Sequence, residues 1–206
     1  AAGGPERLLA SDLALGATPT SWSPDGRFLL YHARNASAGW DIWLLPGPAG
    51  GAERKPVPFL RTPAAEVAGA FSPDGRWLVY TSNESGRFEI YVRPVADPAG
   101  GKWQISTDGG TEPAWARHGG EIFYQNEDSM MVAAVQTAPV FRAARPQLLF
   151  QGRYASTSAA AIRTYDVSAD SRRFFMLKES DEATTQLHVV LNWFEDLKQR
   201  LGAARP

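Results

Sequence analysis

The chain has no cysteine, and only three histidines and three methionines among 206 residues. Without cysteine, disulfides, thiolate metal sites and thiol nucleophiles are excluded. An excess of charge is also missing: 21 Lys and Arg against 22 Asp and Glu leave a formal net charge of −1. With no basic stretch to neutralise several phosphates, electrostatic nucleic-acid binding is excluded as well. No apolar run reaches transmembrane length and Ala1-Ala2-Gly3-Gly4 has no secretory-leader pattern, so direct membrane insertion by this chain is not expected. His32, His118 and His188 lack ligand spacing, and the acidic residues form no D-x-D-x-D-G loop, so no metal or cofactor is expected. Glycine and proline are plentiful, at 19 and 15, alongside seven tryptophans. That mixture suits packed sheets joined by tight turns.

The most informative feature is a repeat. Trp22-Ser23-Pro24-Asp25-Gly26-Arg27-Phe28-Leu29-Leu30-Tyr31 returns 49 residues later as Phe71-Ser72-Pro73-Asp74-Gly75-Arg76-Trp77-Leu78-Val79-Tyr80. Proline presets φ for a type I turn, Asp accepts hydrogen bonds from nearby amides, and Gly supplies the positive φ. The run after each turn is rich in β-formers. Ser23, Pro24, Asp25, Gly26 and Ser72, Pro73, Asp74, Gly75 are therefore structural corner residues. Two worn copies follow, Pro113 to Tyr124 with Arg117-His118-Gly119-Gly120 at the corner, and Tyr165 to Met176 with Ser168-Ala169-Asp170-Ser171. Anchors at 22, 71, 115 and 167 give a period of about one propeller blade.

The expected fold is all-β, a propeller of four-stranded antiparallel blades with a short C-terminal helix. Blade 1 covers about 13–61, blade 2 about 62–106, blade 3 about 107–152 and blade 4 about 160–192, all within one propeller region spanning 1–206. Glu6 to Ser11 reads as an outer strand without a blade, and Gln186 to Leu191 as a third strand without an outer neighbour. Since an unpaired sheet edge invites pairing, the N-terminal strand is expected to complete blade 4, in its own chain or in a second copy. The second arrangement, favoured because four broad blades leave a tight centre, gives eight blades in a homodimer; a third has further blades preceding Ala1. The helix is expected over 193–201, with Asn192 as N-cap and Glu195 closing a capping box.

Together these residues resemble the TolB-like (WD40-like, PD40) propeller repeats, and more narrowly the C-terminal propeller region of certain bacterial serine/threonine protein kinases. The carriers are Trp22 to Tyr31, Gly39-Trp-Asp-Ile-Trp-Leu-Leu-Pro46, Phe71 to Val92, Gly101 to Pro113, Ile122-Phe-Tyr124 and Val189-Val-Leu-Asn-Trp193. The resemblance implies an extracytoplasmic, periplasmic module that senses or binds a protein or small molecule. The kinase motifs themselves (Gly-rich loop, His-Arg-Asp, Asp-Phe-Gly) are absent, so kinase activity does not transfer.

No catalytic residues are expected. A Gly-x-Ser-x-Gly elbow is absent, which leaves an accessory propeller of a prolyl-oligopeptidase-like peptidase as the rival reading, with a purely structural self-assembling ring as a third. Binding residues on rigid scaffolds concentrate in loops. Those leading into first strands and joining second to third strands share one face of a propeller. Trp40, Arg87, Glu112, Arg163 and Tyr165 lie there, four of them planar or forked anchors. Each also fits a structural role, Trp40 packing between blades and Arg87 capping a loop.

Overall fold

The structure, a computed structural model, describes residues 16–35, 39–47, 55–156, 162–178 and 186–190, the last as backbone. The strand expected at 6–11 and the helix expected at 193–201 lie outside the described residues. Among those residues every regular element is a strand, and sixteen strands form four antiparallel sheets.

Three sheets follow sequence order from the axis outward. The first is β1 (Thr18–Trp22), β2 (Phe28–Arg34), β3 (Trp40–Pro46) and β4 (Val57–Leu60). The second is β5 (Glu66–Phe71), β6 (Trp77–Ser82), β7 (Glu89–Pro94) and β8 (Trp103–Gln104). The third is β9 (Thr111–Trp115), β10 (Glu121–Asn126) and β11 (Ser129–Gln136), its outer strand split into β12 (Arg142–Ala143) and β13 (Gln147–Gln151), both paired to β11. The fourth has β14 (Tyr165–Val167), β15 (Phe174–Lys178) and β16 (Gln186–Val190). Three strands are thus described in blade 4, against the expected four.

The repeated corner explains the spacing. At the first, the Ser23 N–H donates to Phe28 O (2.8 Å) and the Gly26 N–H to Ser23 O (2.9 Å). The Ser23 hydroxyl donates to Asp25 Oδ1 (2.6 Å) and accepts from the Phe28 N–H (2.9 Å). That hydroxyl donor and the Arg27 amide hold the Asp25 carboxyl below its ordinary range. Ser72 and Asp74 repeat the arrangement in blade 2, Ser168 and Asp170 in blade 4. The third corner has Ala116 in place of serine yet keeps both backbone bonds, and His118 Nδ1 accepts from the Gly120 N–H where the others use a carboxylate. Worn in sequence, it is intact in geometry.

Because side chains alternate along a strand, each second strand sends one row to the preceding blade and one to the next. Leu30 meets Leu78 and Tyr80; Val79 meets Ile122 and Tyr124; Phe123 meets Phe174 and Met176. The blades also share hydrogen bonds: Trp115 Nε1 donates to Ala70 O (3.2 Å), and the Arg117 N–H to Ser171 Oγ (3.1 Å). At Gly69, on an innermost strand, a Cβ would stand 2.8 Å from Leu30 Cδ2, so glycine lets blade 1 close onto β5.

Candidate functional site

The four innermost strands converge on a cavity with two chambers. The upper chamber, about 250 Å³, lies among Thr18, Thr20, Ala68, Pro113, Ile162 and Arg163. The lower, about 410 Å³, opens beside the corners among Trp22, Pro24, Pro73, Trp115 and Arg117. Thr20, Ala70, Arg163 and Asp166 line both. Small residues at 68–70 keep this space open, since a wedge-shaped blade is narrowest at the axis.

Arg163 is held from three sides. Its Nε donates to Tyr165 O (2.9 Å), its Nη2 to Asp166 Oδ1 (3.2 Å), and its guanidinium lies 5.8 Å from the Tyr165 ring centroid. Tyr165 is buried, and its hydroxyl donates to Glu112 O (2.8 Å); burial drives its ionisation far above the usual range. Glu112 is itself fully buried, and its carboxylate accepts the Thr164 N–H (2.5 Å). Blade 3 therefore fixes the segment that carries Arg163 into β14. At the lower mouth Arg117 is exposed and its guanidinium has no partner among the described residues. Beside it, Trp22 is 50% exposed, unusual for so large an apolar ring.

Of the residues expected from sequence, Arg163, Tyr165 and Glu112 come together here. Trp40 instead packs on Val67 and Ala68, edge-on to His32 (ring centroids 5.2 Å apart), wedged between blades. Arg87 ties loops of blade 2, donating to Glu89 Oε1 (2.7 Å) and to the Thr107 carbonyl. Asp166 and Arg117 were not anticipated. Arg117 had a legible signal, because it stands where the first two corners carry Pro24 and Pro73. Among the described residues no cluster of three acidic or histidine side chains could hold a metal ion. His32 is buried without a hydrogen-bond partner, and burial pushes its pKa down to about 4, so it stays neutral.

A second buried polar group opens β5, outside the residues that line either chamber. Glu66 is 2% exposed; the Thr62 hydroxyl donates to its Oε1, while Oε2 has no hydrogen bond. Burial, with the neighbouring Asp41 charge adding, pushes its pKa up to about 6. A carboxyl raised in the folded state disfavours folding once ionised. The fold is therefore most stable, as far as this group is concerned, below pH 4.5, and that contribution fades as pH rises through 6. Glu66→Gln is expected to flatten this slope and raise stability at pH 7.5 by about 2 kcal/mol. Denaturant midpoints of both forms from pH 4.5 to 7.5 check it; parallel curves would contradict it.

No protein-family profile matches the chain, and no curated protein matches it. Solved structures do. TolB from Acinetobacter baumannii superposes with a TM-score of 0.64 at 16% identity, over 85% of this chain and 41% of that one. A puromycin hydrolase mutant complexed with PGG gives 0.62 at 18% identity, over 90% of this chain and 28% of that one. A β-propeller domain from Myceliophteria thermophila gives 0.54 at 16% identity, over 84% and 57%. The fold is a TolB-like, WD40-like β-propeller, and the chain spans less than half the length of the TolB structure.

Proposed function

We propose that this chain is a non-catalytic binding module whose ligand enters the axial cavity from the corner face. It serves as the extracytoplasmic sensing part of a receptor-type serine/threonine kinase. The observation that carries the binding role is the lower chamber, with the free Arg117 guanidinium beside the exposed Trp22 ring and the braced Arg163 deeper in. A cation without an internal partner, next to an aromatic wall, favours a ligand bearing an anionic group on a flat or apolar body. The kinase and periplasmic setting rest on the sequence resemblance. A reading frame with a kinase domain and one membrane span upstream of Ala1 supports that setting; one without them removes it.

The peptidase reading has one observation in its favour, the likeness to the puromycin hydrolase propeller over 90% of this chain. An α/β-hydrolase domain in the same reading frame would establish it in place of the kinase setting.

The cavity is tested with a tripeptide that ends in tryptophan and carries a free carboxylate. Calorimetry is expected to show binding that Arg117→Gln weakens about tenfold, as loss of one charge-assisted contact implies. The amidated peptide is expected to lose the same factor. Equal affinity for acid and amide, or no heat at millimolar peptide, would overturn the assignment.

A further inference from the structure

In each second strand, two positions turn toward the following blade. In blade 1 they are Leu30 and His32, in blade 2 Val79 and Thr81, in blade 3 Phe123 and Gln125. All six are at most 3% exposed. The corner hydrogen bonds fix the equivalence in blade 4, because the Phe28, Trp77 and Arg173 N–H groups each donate to the corner serine. Phe175 and Leu177 are the matching residues, and they are 47% and 39% exposed. The opposite row of the same strand, Phe174 and Met176, is buried against blade 3. Blade 4 therefore carries apolar residues on both faces, as an interior blade does, and among the described residues nothing covers one of those faces.

The charges around this face are mixed. Asp166, which also accepts from Arg163, pairs in register with Phe175 and shares its face, and Arg173, 3.8 Å from Asp170, lies on the same row one position before the strand; both side chains are exposed. An open cavity of about 330 Å³ lies between them against Phe175. An apolar centre flanked by one acid and one base is self-complementary about a two-fold axis, the requirement of an isologous contact. Stacking head-to-tail on blade 1 is closed to a second copy, because the row facing away from blade 2, including Tyr31, Ala33 and Leu45, is already buried.

We propose that the uncovered face of blade 4 is an interface between two copies of this chain, Phe175 and Leu177 at its centre, with Asp166 of each copy opposite Arg173 of the other. It shares Asp166 with the lining of the axial cavity, while its centre, Phe175 and Leu177, lies outside that lining.

Sedimentation equilibrium of the full chain over increasing concentration is expected to show the mass rising from one chain toward two. Phe175→Lys with Leu177→Lys is expected to remain monomeric throughout, with an unchanged circular dichroism spectrum because both side chains are exposed. Arg173→Glu is expected to weaken association several-fold. A chain monomeric at every concentration, or a dimer indifferent to the double substitution, overturns the proposal. Phe175→Cys separates the remaining case: a thiol that labels slowly in dilute monomer would mean that the chain covers this face itself, which also overturns it.

Discussion

Phe123→Ala is expected to cost about 3–5 kcal/mol, the usual range for emptying a fully buried aromatic site. Phe123 is 0% exposed and meets the Phe174 ring edge-on, centroids 5.0 Å apart. It stands at the centre of a cluster that includes Ala114, Met130, Leu149, Tyr165 and Met176. Few of these neighbours can move into the gap, since Ala114 and Tyr165 lie on axial strands and Met130 is held in a ladder. Against a typical domain stability of roughly 5–15 kcal/mol, the loss removes much of the folding free energy. The damage is also directional, because this cluster is the seam between blades 3 and 4. Denaturant unfolding followed by tryptophan fluorescence should show a midpoint lowered in proportion to that loss. A labelled Ser168→Cys on the blade 4 corner should report release at lower denaturant. Leu148→Ala is the control: at 47% exposure it is expected to change stability by less than about 0.5 kcal/mol. A cost below about 1 kcal/mol for Phe123→Ala would mean that the two blades do not depend on this seam.

The propeller was legible because its signal is local and repeated. Ser-Pro-Asp-Gly reports a corner through bonds that span at most five residues, and two clear copies at one interval locate the weaker ones. Even the third corner, without serine, proline or aspartate, could be placed, because flanking β-rich runs held the register while His118 and Gly119 filled the corner roles. The split outer strand of blade 3 was not legible. Arg142-Ala143 is two residues long, too short to show alternation, and pairs only because β11 extends to Gln136.

The site was legible in part, for a related reason. Sequence position places a residue on a face of the propeller but does not say whether its side chain turns to the axis or into the gap between blades. Trp40 and Arg87 turned away, toward Val67 and toward Glu89. Arg163 and Tyr165 lie on the axial strand and the approach to it, and both line the upper chamber. Arg117 stands in a corner, and corner residues are chosen for backbone shape, so a side-chain role there is not expected from sequence. Its departure from Pro24 and Pro73 at the matching corner position is visible in sequence, but that all three line one chamber is visible only in the fold.

Glu112 couples that cavity to the fold, and two substitutions separate its contributions. Its carboxylate accepts the Thr164 N–H at 2.5 Å, and the Thr164 hydroxyl lies 2.8 Å from the same oxygen. Its backbone sits at φ 57, in the left-handed region, next to the irregular register between β9 and β10. Glu112→Ala removes the acceptor and keeps the backbone strain, so it is expected to cost about 2–3 kcal/mol, as for a hydrogen bond to a buried charge. Glu112→Gly also removes the acceptor but relieves the left-handed conformation, which costs a residue with a Cβ about 1 kcal/mol. The order of stability should therefore be wild type, then Gly, then Ala, the reverse of what an extended β-strand position shows. Because Thr164 immediately precedes the strand that presents Tyr165 and follows Arg163, both variants should also weaken the carboxylate-peptide binding described above. Denaturant midpoints and calorimetry on the two variants read these effects separately. Alanine more stable than glycine would mean that the conformation at 112 carries no strain, and unchanged peptide affinity in both would mean that Arg163 keeps its place without the bond from blade 3.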